Sequence, residues 1–417
     1  MADRYWILGT GTWDSTSTTN WSASSGGAGG ASVPTASDNV YFDANSNVLA
    51  TAFTVTMANS PRVCNDFTAS GLDGTMTLAG TSIGLTVSGS LTFQATNFSR
   101  TYTGTTTFNA TTTGKTVTTN GVGFGSGVTF NGVGGAWALG SALQLTGGSL
   151  TLTNGTLDLD GKTLTTGFRF ATDTGTKNLT FNGGTLVCQL AGANSFTNPA
   201  PTGFTTTAGT GTGTISLTSG SAKTFNGAGS TFNCTLNQAG AGALTITGSN
   251  TFSNITNTRK STSAASILFT AGTTNTFADW NASGESTRLL TIGSVTAASH
   301  TLSKASGTVS SDFLSISRST ATGGAGWYAG ANSTDGGNNS GWIFTAPSGG
   351  GYTITANNGF YTITGQSATL SKGRFLLGDS GTYGVTGQNA VITYSSITIN
   401  TDQLLVKLRS FTEKRRF

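Results

Sequence analysis

A three-residue unit recurs through the middle of the chain and narrows the folds open to it. Phe-Asn-Gly stands at Phe130-Asn131-Gly132, Phe181-Asn182-Gly183 and Phe225-Asn226-Gly227, with a relative at Phe108-Asn109-Ala110. Between these units lie short segments such as Ser149-Leu150-Thr151-Leu152-Thr153 and Ala243-Leu244-Thr245-Ile246-Thr247. Each alternates apolar residues with Thr or Ser, the period of a strand buried on one face. Asn-Gly and Gly-Gly breaks separate the segments.

Short strands with Gly/Asn corners fit a sandwich or a β-solenoid. The solenoid is the better reading for residues 50–300, because inner Phe and Leu repeat along the chain without a central hydrophobic maximum. Asn131, Asn182 and Asn226 would then recur as corner residues that hydrogen-bond between coils. With about 20–25 residues per coil and strands about 4.8 Å apart, the stretch would form a rod of roughly 50–60 Å. Composition agrees with an all-β chain. Thr is about a fifth of the 417 residues, Gly supplies 61, and the only glutamates are Glu285 and Glu413. Helix formers are scarce and turn and strand residues abound. A hydrophobic content of 35% without high charge argues against disorder.

The ends differ from the rod. Residues 1–50 hold Trp6, Trp13 and Trp21 and read as an N-terminal capping or attachment module. Residues 51–346 read as the solenoid body, with a terminal cap around Trp327, Tyr328 and Trp342. Residues 347–351 read as a Gly-rich linker. Past it, Gly359 to Leu370 matches Gly381 to Ile392 at a 22-residue offset, so 352–403 reads as a small β-repeat module. Residues 404–417 form a basic amphipathic tail.

That tail holds the chain's net charge. Lys407, Arg409, Lys414, Arg415 and Arg416 oppose only Glu413, which leaves 15 basic and 15 acidic residues in 1–406. A neutral body gives no electrostatic footprint for nucleic acid. Apolar Leu404, Leu405, Leu408, Phe411 and Phe417 interleave the charges, and exposing them to water favours docking on a partner. The expected assembly residues are therefore Leu404, Leu405, Lys407, Leu408, Arg409, Phe411, Lys414, Arg415, Arg416 and Phe417; a disordered end is the alternative.

Cys64, Cys188 and Cys234 are odd in number and lack metal or redox spacing, so they read as small buried hydrophobes. His300 is the only histidine, and a surface or turn role is expected. No basic and apolar leader opens the sequence and no stretch has the length of a membrane span, so synthesis in the cytoplasm without membrane insertion is expected.

The opening Arg4-Tyr5-Trp6…Gly9-Thr10-Gly11-Thr12-Trp13-Asp14…Asn20-Trp21, joined to Val33-Pro34-Thr35…Asp38-Asn39-Val40-Tyr41-Phe42-Asp43, resembles the start of many phage-encoded and bacterial surface proteins. The Phe-Asn-Gly units, Gly248-Ser249-Asn250-Thr251-Phe252 and the closing Asp335-Gly336-Gly337-Asn338-Asn339-Ser340-Gly341-Trp342 are similar to that group, and the Tyr-x-x-Thr-Gly-Gln repeat to modules of tailed-phage structural proteins. The resemblance implies a fibre, spike or capsid-decorating protein on the virion surface, assembled in the bacterial host cytoplasm. It implies a homotrimer, contacts with other virion proteins and contact with host surface polysaccharide. It implies no enzyme activity and no cofactor. A bacterial adhesin and a tailspike depolymerase remain as alternatives.

A depolymerase needs two carboxylates about 5 to 9.5 Å apart across a cleft. Asp158 and Asp160 share one strand face before Gly161, and such pairs are more often corner residues. Asp335, Asn338 and Asn339 offer oxygens to Ca²⁺ but lack the spaced acidic pattern, which favours turn chemistry and no metal. Gly209-Thr210-Gly211-Thr212-Gly213 lacks the Lys-Ser/Thr of a phosphate loop. The Trp-rich caps could stack on sugars, with core closure as the plainer role for Trp6, Trp13, Trp21, Trp327 and Trp342.

Overall fold

In the computed structural model, residues 1–347 are described and form one compact unit. The expected module at 352–403, the tail at 404–417 and the linker past Pro347 lie outside the described residues. The unit is a β-solenoid of about 13 turns. At about 4.8 Å per turn its axis is on the order of 60 Å long.

A 21-stranded sheet runs the length of the rod, and a 9-stranded sheet forms a second face from Leu143–Leu145 to Ser319–Thr322. A 4-stranded sheet completes the N-terminal turns and a 3-stranded sheet the C-terminal ones. Neighbouring turns pair parallel, with like residues in register: Thr107 lies between Thr86 and Thr129, and Phe108 pairs with Phe130. Inward positions hold Phe, Leu, Ile and Val, and Thr faces out. The Lys223–Asn226 strand shows the alternation, with Lys223 and Phe225 buried and Thr224 and Asn226 half-buried.

Like-on-like register stacks the inner aromatics along the axis. Ring centroids lie 5.3 Å apart for Phe170–Phe196, 4.4 Å for Phe196–Phe225 and 5.5 Å for Phe225–Phe252. Each such contact adds about 0.5–1.5 kcal/mol beyond the area it buries. Phe108, Phe130, Phe181 and Phe225 of the repeated unit are all fully buried.

Turn lengths spread more widely than the expected 20–25 residues. Trp327 pairs with Trp342, 15 positions on, whereas Thr185 pairs with Thr214, 29 positions on. Extra residues leave the rod as loops, which costs little because closure entropy grows slowly with loop length. Bulges shift the register in places, as between Gly192 and Phe196, yet inner rings still pair, Phe196 with Phe225 and Phe232 with Phe252.

Both ends are closed by tryptophan. Trp21 lies 5.2 Å from Trp6 and 5.2 Å from Trp13, and the three rings surround Phe42. The Trp6–Trp21 pairing is antiparallel, which turns the first strand's outer edge away from further parallel stacking. Asn39–Phe42 pairs with Asp3–Trp6 and Phe67–Ala69, so the first 50 residues continue the main sheet. At the far end Trp280, Trp327 and Trp342 meet edge to face, with centroids 5.1–6.2 Å apart.

Candidate functional site

Exposed chemistry on this rod sits at corners and in shallow polar clefts. The corner Asp158–Gly161 uses its carboxylates internally. Asp158 Oδ1 accepts from the Asp160 backbone N–H at 2.8 Å, and Oδ2 accepts from Asn182 Nδ2 of the next turn at 2.7 Å. Asp160 sits at φ 45° and pairs with Lys162 at 3.5 Å. The two acids thus build a turn rather than facing each other across a cleft. Asp158→Ala should lower the unfolding free energy by about 1 kcal/mol, the scale of a half-exposed charged hydrogen bond. A urea titration checks this; an unchanged midpoint would remove the corner assignment.

Asn182, at φ 45°, also accepts from the Thr210 backbone N–H at 2.9 Å, joining three turns. Asn131 accepts from Asn154 Nδ2 at 2.8 Å. Asn226 instead joins turns through its backbone carbonyl, which accepts from Asn198 N–H at 2.9 Å. The corner ladder expected from the repeat therefore runs through side chains at Asn131 and Asn182 and through the main chain at Asn226.

Asp335 accepts from Gly337 N–H at 2.9 Å and Asn339 Nδ2 at 2.6 Å, while Asn339 Oδ1 accepts from Ser319 N–H at 3.0 Å. Asn338 takes φ 60°. This is turn chemistry, and among the described residues no three His, Cys, Asp or Glu side chains gather to hold a metal. The Thr210 loop donates its backbone N–H to the Asn182 side chain.

The cap tryptophans cannot stack on a sugar: Trp6, Trp13 and Trp21 are fully buried, and Trp342 is 9% exposed. Cys64, Cys188 and Cys234 are buried and free, and burial raises each thiol pKa, to about 12 at Cys188. His300 corrects the sequence expectation. It is fully buried in the His300–Ser303 strand, stacked 4.7 Å from Phe269, with Nδ1 hydrogen-bonded to Ser294 Oγ at 2.9 Å. Burial lowers its pKa to about 4.

Two buried lysines went unnoticed in the sequence. Lys177 Nζ donates to the carbonyls of Gly175, Ala200 and Thr202 at 3.0, 2.9 and 3.3 Å. Lys223 Nζ donates to Ser219 and Gly242 carbonyls at 3.1 and 2.6 Å, and burial with nearby Arg259 lowers its pKa to about 8. Each ammonium ties backbone of adjacent turns together where a Leu would only fill space. Alternation held the signal: Lys177 shares its strand face with Leu179, and Lys223 with Phe225.

Two polar clefts open beside the Gly192–Thr197 strand and the segment that follows it, the first touching Asn194 and Thr197 and the second Pro201 and Thr202. One, of about 460 Å³, is lined by Thr151, Arg169, Asp173, Asn194 and Thr197; the other, of about 540 Å³, by Thr202, Thr205, Thr206, Ser230 and Asn233. Hydroxyls, amides, one guanidinium and one carboxylate suit hydrogen bonding to a neutral polar ligand. A single carboxylate lacks the partner that acid–base hydrolysis of a glycoside requires.

No helix among the described residues is long and apolar enough to cross a membrane. No family model, curated protein or solved structure matches the chain.

Proposed function

We propose that this protein is a non-enzymatic structural component of a phage particle, a fibre, spike or capsid-decorating protein displayed on its surface. The observation that carries the reading is a solenoid of about 13 turns whose candidate catalytic and metal-binding side chains are spent on corners. A stiff rod closed by aromatic clusters suits display and spacing, and the fold is compatible with fibres and adhesins. Residues 404–417 serve as an assembly peptide, and copies associate, as a homotrimer, with other virion proteins. Host polysaccharide is bound, without cleavage, in the polar clefts beside the Gly192–Thr197 strand and the segment that follows it.

Deleting residues 404–417 tests the assembly role. The truncated chain should sediment as a smaller species and drop out of purified particles, measured by mass spectrometry of virions. Unchanged oligomer mass together with unchanged incorporation would sink it.

A further inference from the structure

The N-terminal cap carries an apolar corner that the rod leaves uncovered. Leu8 is 51% exposed, Val48 80% and Leu49 75%. They adjoin one another: Gly9 N–H donates to Ser46 O at 2.8 Å, and Asn47 Oδ1 accepts from Leu49 N–H at 3.3 Å. Of the other strongly exposed apolar side chains among the described residues, Met1 is the first residue, and Val133, Phe168, Val295 and Ile343 are scattered singly along the rod. Single ones are ordinary; three together mark a contact surface.

The turns that carry the corner are also acidic. Residues 1–50 contain four Asp and one Arg, and the turns out to residue 99 add two Asp and one Arg, so the N-terminal turns bear a formal side-chain charge of –4. Arg62 is 4% exposed and Arg4 is held by Ser32, which leaves few cations at the surface. Asp73 is exposed, and its neighbour Gly74 packs on the Ala50–Thr51 backbone next to Leu49, where an added Cβ would lie 2.1 Å from the Thr51 carbonyl. The ion pairs among the described residues join Lys162 to Asp160, Arg288 to Glu285 and Lys304 to Asp279, all outside this region.

One segment of the chain matches that surface in both respects. Residues 404–417 carry a formal charge of +4 interleaved with Leu404, Leu405, Leu408, Phe411 and Phe417. We propose that the tail of one copy docks on the Leu8–Val48–Leu49 corner of a second copy, linking cap to tail. The proposal rests on the tail's assembly role and adds its receiving surface. Apolar contact supplies the affinity, and opposite charges steer the encounter, with a salt dependence set by screening over about 10 Å at 0.1 M.

The test uses the full chain in sedimentation equilibrium. Val48→Lys/Leu49→Lys and Asp73→Lys change exposed side chains, so the solenoid should stay folded. Each should weaken self-association about tenfold at low salt, with a smaller effect of Asp73→Lys at high salt. Mixing the Asp73→Lys chain with a Lys414→Glu/Arg415→Glu/Arg416→Glu chain should give tighter association than either chain shows alone. If tail deletion abolishes association while the corner variants leave it intact, this docking surface is wrong and the tail's role survives. If neither change matters, both are wrong. Concentration-independent hydrogen-exchange protection of residues 46–50 that vanishes on tail deletion would place a chain's own tail there, and would overturn the second-copy assignment.

Discussion

Trp21→Ala should cost about 3–5 kcal/mol, and the loss should fall on the N-terminal turns rather than on the whole rod. Trp21 is fully buried against Trp6, Trp13 and Phe42, and its strand closes the first turn. In a solenoid each turn touches only its neighbours, so the end turn has one interface where an inner turn has two. Removing the large ring leaves a cavity at the one place that cannot borrow packing from a further turn. Hydrogen exchange should therefore show lost protection through the first turns, residues 1–57, while the strands around Trp280, Trp327 and Trp342 keep theirs. Trp21→Phe should cost much less, because Trp21 Nε1 is buried without a hydrogen-bond partner and the indole N–H contributes nothing. Phe225→Ala offers the contrast, since its ring has neighbours on both sides, Phe196 at 4.4 Å and Phe252 at 5.5 Å. A uniform loss of protection along the rod in Trp21→Ala would show that the turns unfold as one unit and would refute the end-turn account.

The same locality explains how much of this protein was legible in its sequence. Alternation and the Phe-Asn-Gly unit reveal the solenoid because each turn repeats the same local solution, and buried Phe108, Phe130, Phe181 and Phe225 sit where the repeat puts them. The closure of the N-terminal end follows from three tryptophans in 21 residues. Turn length is hidden, because a bulge such as that at Ala193–Asn194 adds exposed residues to a strand without changing the inner face. Asn226 shows another limit: three identical motifs take different corner geometries, since the partner across the turn differs. Lys177, Lys223 and His300 mark the third. Their residue types argue for the surface, whereas their position in the alternation argues for the interior, and position wins because flanking strands fix the face. The polar clefts were not legible at all, since Thr151, Arg169 and Asn194 of one, and Thr205 and Asn233 of the other, come together only across turns.

His300 turns that placement into a pH dependence. The ring lies buried on Phe269, and its Nε2 has no hydrogen-bond partner among the described residues. Burial disfavours the charged form, so the folded pKa falls from 6.5 to about 4. Between those values the unfolded chain binds a proton that the folded chain refuses. Stability is therefore complete above pH 6.5 and falls as the pH drops toward 4, by about 3 kcal/mol at the bottom of the window. No other histidine contributes, since His300 is the chain's only one. The carboxylates with lowered pKa values, Asp14, Asp38 and Asp312, are stabilised by hydrogen bonds from neighbouring groups and lose that stabilisation below the window, Asp14 as the pH falls toward 2. His300→Phe retains an aromatic ring on Phe269 and removes the titration. Urea midpoints at pH 7.5 and 4.5 should differ strongly in the parent chain and little in the variant. Equal pH slopes in the two proteins would mean that His300 is not what makes the rod acid-sensitive.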